Sequence, residues 1–279
     1  MGVEGLNRLN TTFERFFPYL LLILCFTIPF AKAVANPVYI ICITMFIIQI
    51  FCRREYQSEA KIYYLVALVY LAIILLSLTY TPDIEEGVRH FKQQCKILIG
   101  VILIERVTSA EAARRYLYAF AAGGAVLASI GIYQGLILNI SRPPTLYHPV
   151  HGGGLLVISA VVLIALFLSE SSSVLKAFVM SMLAIHGAAL YLNGSRGPWI
   201  ALAAVLLLVP FIHFKSSLKG KIIYLISLLL IVMVACSGNV FQERIREARN
   251  DIIAYNSSKS DTSLGARFEM WKVSTLMFK

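Results

Sequence analysis

Arginine is the side chain in this sequence best placed to do chemistry, and two arginines sit in settings that suit it. Arg196 is the single ion in Asn193-Gly-Ser-Arg-Gly-Pro-Trp199. Pro198 fits the first turn of a helix, where its missing N–H would have had no partner. Gly194 and Gly197 allow a sharp corner and a close approach of the backbone. A guanidinium beside the free N–H groups of a helix start favours an anion, above all a phosphate, which arginine grips with two parallel hydrogen bonds. The competing reading is an arginine that merely snorkels to anchor a helix end. Arg267 lies in Ser263-Leu-Gly-Ala-Arg-Phe-Glu-Met-Trp271, with Ser263 expected as the N-cap and Trp271 four residues further along the same helix face. Arg142, followed by two prolines, is a third candidate contact for phosphate or sugar. His148 and His151 are three apart but have no third Cys, His, Asp or Glu nearby, so they read as loop residues and no metal site is expected.

The elements that must position these residues are apolar. The chain has 279 residues, 58% of them hydrophobic and 14% charged, with a mean hydropathy of +0.76. Soluble domains carry about 25% charge, so the composition describes a polytopic membrane protein. The net charge of +10 is scattered over short loops and is not a nucleic-acid footprint. The five cysteines form no CxxC pair and read as small core or lipid-facing residues.

Runs suited to a bilayer occur near Phe16–Phe30, Pro37–Cys52, Ile62–Tyr80, Cys95–Ile104, Tyr116–Leu138, Gly153–Leu168, Val174–Leu192, Pro198–Phe214 and Ile222–Cys236. The expected fold is an all-α transmembrane bundle over 1–236, with nine spans. An outer loop over 237–263 carries an amphipathic helix, on which Phe241, Ile245, Ala248, Ile252 and Tyr255 recur at helical spacing. Residues 264–279 begin a tenth span. Lys and Arg are concentrated in the loops that share the side of the N-terminus, which places that terminus in the cytoplasm and the Arg196 corner outside. The segment Asn139 to Gly154 is expected to be irregular or re-entrant. Gly131-x-x-x-Gly135 is expected to be a close packing face.

The Ser195-Arg196-Gly197 corner with Trp199, followed after a long outer loop by Ser263-x-Gly265-x-Arg267 with Trp271, resembles the O-antigen ligase family, which shares a domain with O-antigen polymerases and bacterial O-oligosaccharyltransferases. The resemblance implies a glycosyltransferase of the bacterial inner membrane working on its periplasmic face. It would move a glycan from undecaprenyl pyrophosphate to a lipid-anchored acceptor such as lipid A-core, with no cofactor. It also implies that Arg196 and Arg267 are the catalytic pair, with Arg142, Ser195, Gly197, Trp199 and Trp271 contacting substrate. The family's acceptor-activating histidine lies beyond its second arginine, and none of His90, His148, His151, His186 or His213 matches it. The chain is therefore expected to be incomplete at its C-terminus. Polymerase activity is the alternative within the family. A transporter of an anionic lipid or solute is the alternative outside it, disfavoured by the near absence of ionisable groups at mid-span.

Overall fold

The computed structural model describes residues 3–52, 61–107, 109–213, 218–257 and 261–277. Every regular element among them is a helix: α1 (Val3–Thr27), α2 (Lys32–Cys52), α3 (Lys61–Ser77), α4 (Ile84–Gln94), α5 (Ile97–Arg106), α6 (Ala110–Leu136), α7 (Pro149–Ser169), α8 (Ser173–Asn193), α9 (Arg196–His213), α10 (Leu218–Ser237), α11 (Asn239–Asn256) and α12 (Ser263–Met277). Helices are what such apolar runs must form in hydrocarbon, because each pairs its own backbone polar groups. Three of them, α6, α7 and α8, are long and apolar enough to cross a bilayer; Lys32–Ile48, Ile62–Ser77 and Arg196–Ile212 are shorter apolar helices. Leu65, Val66, Leu68, Val69 and Ile73 of α3 are exposed, an outward apolar face suited to lipid.

The chain divides into two compact units. The first holds Met1–Val126 with Ala165–Glu170. Its core joins Phe17, Leu21 and Leu24 of α1 to Cys42 and Phe46 of α2 and to Ile99 and Ile102 of α5. The α1 residues recur at spacings of four and three, one helical face. At Gly123 of α6 a β-carbon would overlap the Phe26 carbonyl, so only glycine lets these backbones meet. α4 has no counterpart among the apolar runs. The Asp83 carboxylate accepts from the Glu86 N–H at 3.0 Å, with Glu85 and Glu86 in the first turn and Lys92 in the last.

The second unit holds Leu127–Ile164 with Ser171–Lys279. Within it α7 and α8 are pinned by His186, which is fully buried. Its Nδ1 lies 2.8 Å from the Met182 carbonyl and its Nε2 2.9 Å from the Ser159 hydroxyl. Nδ1 therefore carries the proton, and Nε2 accepts from serine. The segment before α7 is shorter than expected. The helix starts at Pro149, which puts His151 in its first turn and His148 just outside. The Gly131–Gly135 face packs chiefly on that segment: β-carbons there would lie 3.1 Å from Thr145 and 3.2 Å from both Pro143 and Leu192. Thr145 holds a φ of 58°, uncommon for a β-branched residue. Gln134 fixes it, accepting from its N–H at 2.8 Å and donating to its carbonyl at 2.9 Å.

Candidate anion-binding site

The Arg196 corner is built as a hinge between two helices. Gly194 caps α8 with φ 64° and ψ 16°, the left-handed conformation that glycine adopts most easily. Ser195 follows, and α9 starts at Arg196 with Pro198 in its first turn. Four contacts hold the corner in place. The Asn193 amide donates to the Pro143 and Pro149 carbonyls at 3.2 and 3.1 Å. The Trp199 indole N–H donates to the Leu190 carbonyl at 2.8 Å. The Trp199 ring stacks on Phe241 of α11 with centroids 5.4 Å apart. Asn193 and Ser195 are both buried.

α11 supplies charges to this corner. Arg244, Glu247 and Asp251 fall three and four residues apart, along one face of the helix. Arg196 Nη2 lies 3.2 Å from Glu247 Oε2, and its Nη1 lies 3.8 Å from Asp251 Oδ2. Arg244 Nη1 grips both oxygens of Glu247, at 2.6 and 2.7 Å. The next turn of chain returns as α12, whose N-cap is Thr262 and not the expected Ser263: the Thr262 hydroxyl accepts from the Gly265 N–H at 3.1 Å. Tyr255 of α11 donates to Glu269 of α12 at 3.0 Å and packs on Phe268 at 5.2 Å. That hydrogen bond, first among its causes, pushes the Tyr255 pKa above the ordinary phenol value. The neutral phenol is thus retained below its usual pKa near 10, and the tie is lost only as pH climbs through the raised value.

These elements enclose a cavity of about 180 Å³, lined by Arg142, Arg196, Arg244, Arg267, Glu247 and Asp251, with Gly194, Ser195, Gly197 and Val150. Of the residues read from the sequence, Arg142, Ser195, Arg196, Gly197 and Arg267 therefore share one cavity. Trp199 is spent on the Leu190 carbonyl and Phe241, and Trp271 is exposed beside Phe268 at 5.8 Å. A wider opening of about 470 Å³ shares Arg142, Arg244 and Glu247. Arg142 is exposed as a whole residue, yet partial desolvation, then Arg244, Arg196 and Arg267, pull its pKa below the ordinary guanidinium value, against Glu247. A cation destabilised by neighbouring cations is a cation that an incoming anion would stabilise. Among the described residues no group of three His, Cys, Asp or Glu is placed to hold a metal ion.

Sequence reasoning missed Arg244, Glu247 and Asp251. Their three- and four-residue spacing was available as a signal, but a charged stripe on an amphipathic helix reads first as a solvated face.

Comparison with known proteins bears on the same region. The family model described as O-antigen ligase matches residues 180–279, a stretch that contains the corner, α11 and α12. A curated Haemophilus influenzae protein, itself described only as uncharacterized, is 28% identical over 237 residues. The match covers 81% of this chain and 58% of that relative, so the chain spans little more than half the relative's length. No solved structure matches.

Proposed function

We propose, from the O-antigen ligase match over residues 180–279, that this membrane protein is a glycosyltransferase acting on a glycan carried by a polyprenyl diphosphate. The acceptor is a hydroxyl of a lipid-anchored glycan of the lipid A-core kind. In this reading the chain spans the inner membrane nine times and begins a tenth span, with its N-terminus in the cytoplasm. α11 lies at the periplasmic interface, and the donor's polyprenyl tail stays in lipid while its diphosphate enters the cavity. The bias of Lys and Arg among the loops and the amphipathic face of α11 support this orientation.

The reaction breaks the bond between the sugar's anomeric carbon and the diphosphate oxygen, and forms a bond from that carbon to the acceptor oxygen. The departing diphosphate gains negative charge, and the acceptor hydroxyl loses a proton. Arg196 and Arg267, with Arg142 beside them, supply cations where that charge grows, which is where fixed charge lowers a barrier most. Permanent guanidinium charges serve here as a bound cation does in other phosphate-handling sites. A base must take that proton, and a positioned base contributes about 10²–10⁴ in rate. The observation that carries the reading is the meeting of Arg142, Arg196 and Arg267 in one cavity.

The test is glycan transfer in vesicles that contain the full-length protein, a polyprenyl-diphosphate-linked glycan and lipid A-core. Transfer to lipid A-core that collapses in Arg196→Gln and in Arg267→Gln is expected. Transfer at the parental rate in either variant contradicts the assignment, and lengthening of the donor glycan in place of transfer would assign a polymerase.

A further inference from the structure

Glu247 stands between two arginines of the cavity wall. Its carboxylate accepts from Arg244 of its own helix at 2.6 and 2.7 Å and from Arg196 of α9 at 3.2 Å. A carboxylate held between two guanidinium groups has the charge and the fork-shaped hydrogen bonding of a phosphate. The Arg244 side chain is only 12% exposed, whereas that of Glu247 is 51% exposed. The cation is thus fixed in the wall while the anion can swing to water. Two further groups lack a partner: the buried Arg244 Nε and the buried Ser195 Oγ. The Nε lies against Gly194, where a β-carbon would come within 2.9 Å of it. Buried donors without partners are uncommon in folded proteins, and both of these sit on the lining of the same cavity.

We propose that Arg244 is a further anion-holding residue of this site and that Glu247 is its resident counter-ion, displaced when a diphosphate enters. This rests on the function proposed above and adds the means by which the empty site is kept stable. Four guanidinium groups without an anion would repel one another; Glu247 and Asp251 offset two of them. With Glu247 swung aside, the four cations outnumber Asp251 and face the two negative charges of a diphosphate esterified at both ends, the chemical class of the donor. Glu247 leaves and Arg244 turns its fork to the ligand, so the site exchanges one bidentate anion for another. The carboxylate also competes with weak anions, since a lone inorganic phosphate makes fewer contacts than a diphosphate and displaces it less readily.

Calorimetric titration of the full-length protein in nanodiscs of zwitterionic lipid tests this, with inorganic pyrophosphate and inorganic phosphate as probes. The parent is expected to prefer pyrophosphate. Arg244→Gln should weaken pyrophosphate binding about tenfold, and Arg244→Lys, which keeps the charge and protects the fold, should weaken it in the same direction. Glu247→Gln removes the competing anion and should tighten binding about threefold to tenfold while narrowing the preference over phosphate. Parental affinity in the Arg244 and Glu247 variants, with binding lost in Arg196→Gln, overturns this inference and leaves the proposed site standing. Weaker binding in Glu247→Gln also overturns it, since Glu247 would then be a support for Arg244. A parent that binds no pyrophosphate overturns both readings.

Discussion

At the scale of residues, the site depends on a glycine as much as on its arginines. Gly194 has a positive φ, and a β-carbon there would press on the Arg244 guanidinium at 2.9 Å from Nε and 3.3 Å from Nη2. A non-glycine residue in that conformation costs about 1–2 kcal/mol. Gly194→Ala should therefore lower thermal stability by about that much and also push Arg244 off Glu247. The two effects can be told apart by unfolding the variant and titrating it with pyrophosphate. A variant that unfolds like the parent and binds like the parent would mean that neither the turn nor the contact is needed.

At the scale of elements, α11 is set against the Arg196 corner by small clearances. A β-carbon at Gly238, the N-cap of α11, would overlap the Tyr191 hydroxyl of α8 and lie 2.8 Å from its ring carbon Cζ. Gly238→Ala should destabilise the second unit and displace the Arg244–Glu247 face, and adding Tyr191→Phe should restore part of the loss. A double-mutant cycle by thermal unfolding would read that coupling, and strict additivity would show that the two residues do not meet. The elements themselves were largely legible in the sequence, since unbroken apolar runs leave few alternatives to helices. α4 was not, because it is polar; Ile84, Val88 and Phe91 at helical spacing behind the Asp83 cap were its apolar marks. The corner was legible because Gly194, Pro198 and Trp199 each have one local physical use. Glu247 and Asp251 were not legible as site residues, because their role comes from Arg196, which lies 51 and 55 positions away in sequence and reaches them only through tertiary packing.

At the scale of the whole molecule, the proposed transfer requires the cavity and the donor's diphosphate to share one side of the membrane. Ser195 is buried and cannot report on this by labelling, whereas Asn256 at the end of α11 and Lys219 at the start of α10 are exposed. Two further positions suggested by the sequence, Arg54 and Ser258, lie outside the described residues. In a background free of native cysteines, a membrane-impermeant thiol reagent applied to the periplasmic face should modify Asn256→Cys and spare Lys219→Cys. The opposite pattern would put the arginine cavity in the cytoplasm, away from any periplasmic transfer.

In the proposed site Arg196 and Arg267 hold one diphosphate through their paired hydrogen bonds and not merely through charge. Lysine keeps the charge and loses the fork. Hydrogen bonds to charged groups contribute about 1.5–3 kcal/mol each, which corresponds to roughly tenfold to a hundredfold in rate. The most direct measurement is kcat/KM for glycan transfer by the full-length protein and by Arg196→Lys and Arg267→Lys, each with its fold confirmed by thermal unfolding. Both lysine variants are predicted to fall by about that factor; a lysine variant as active as the parent would contradict the claim and leave that arginine an interfacial anchor.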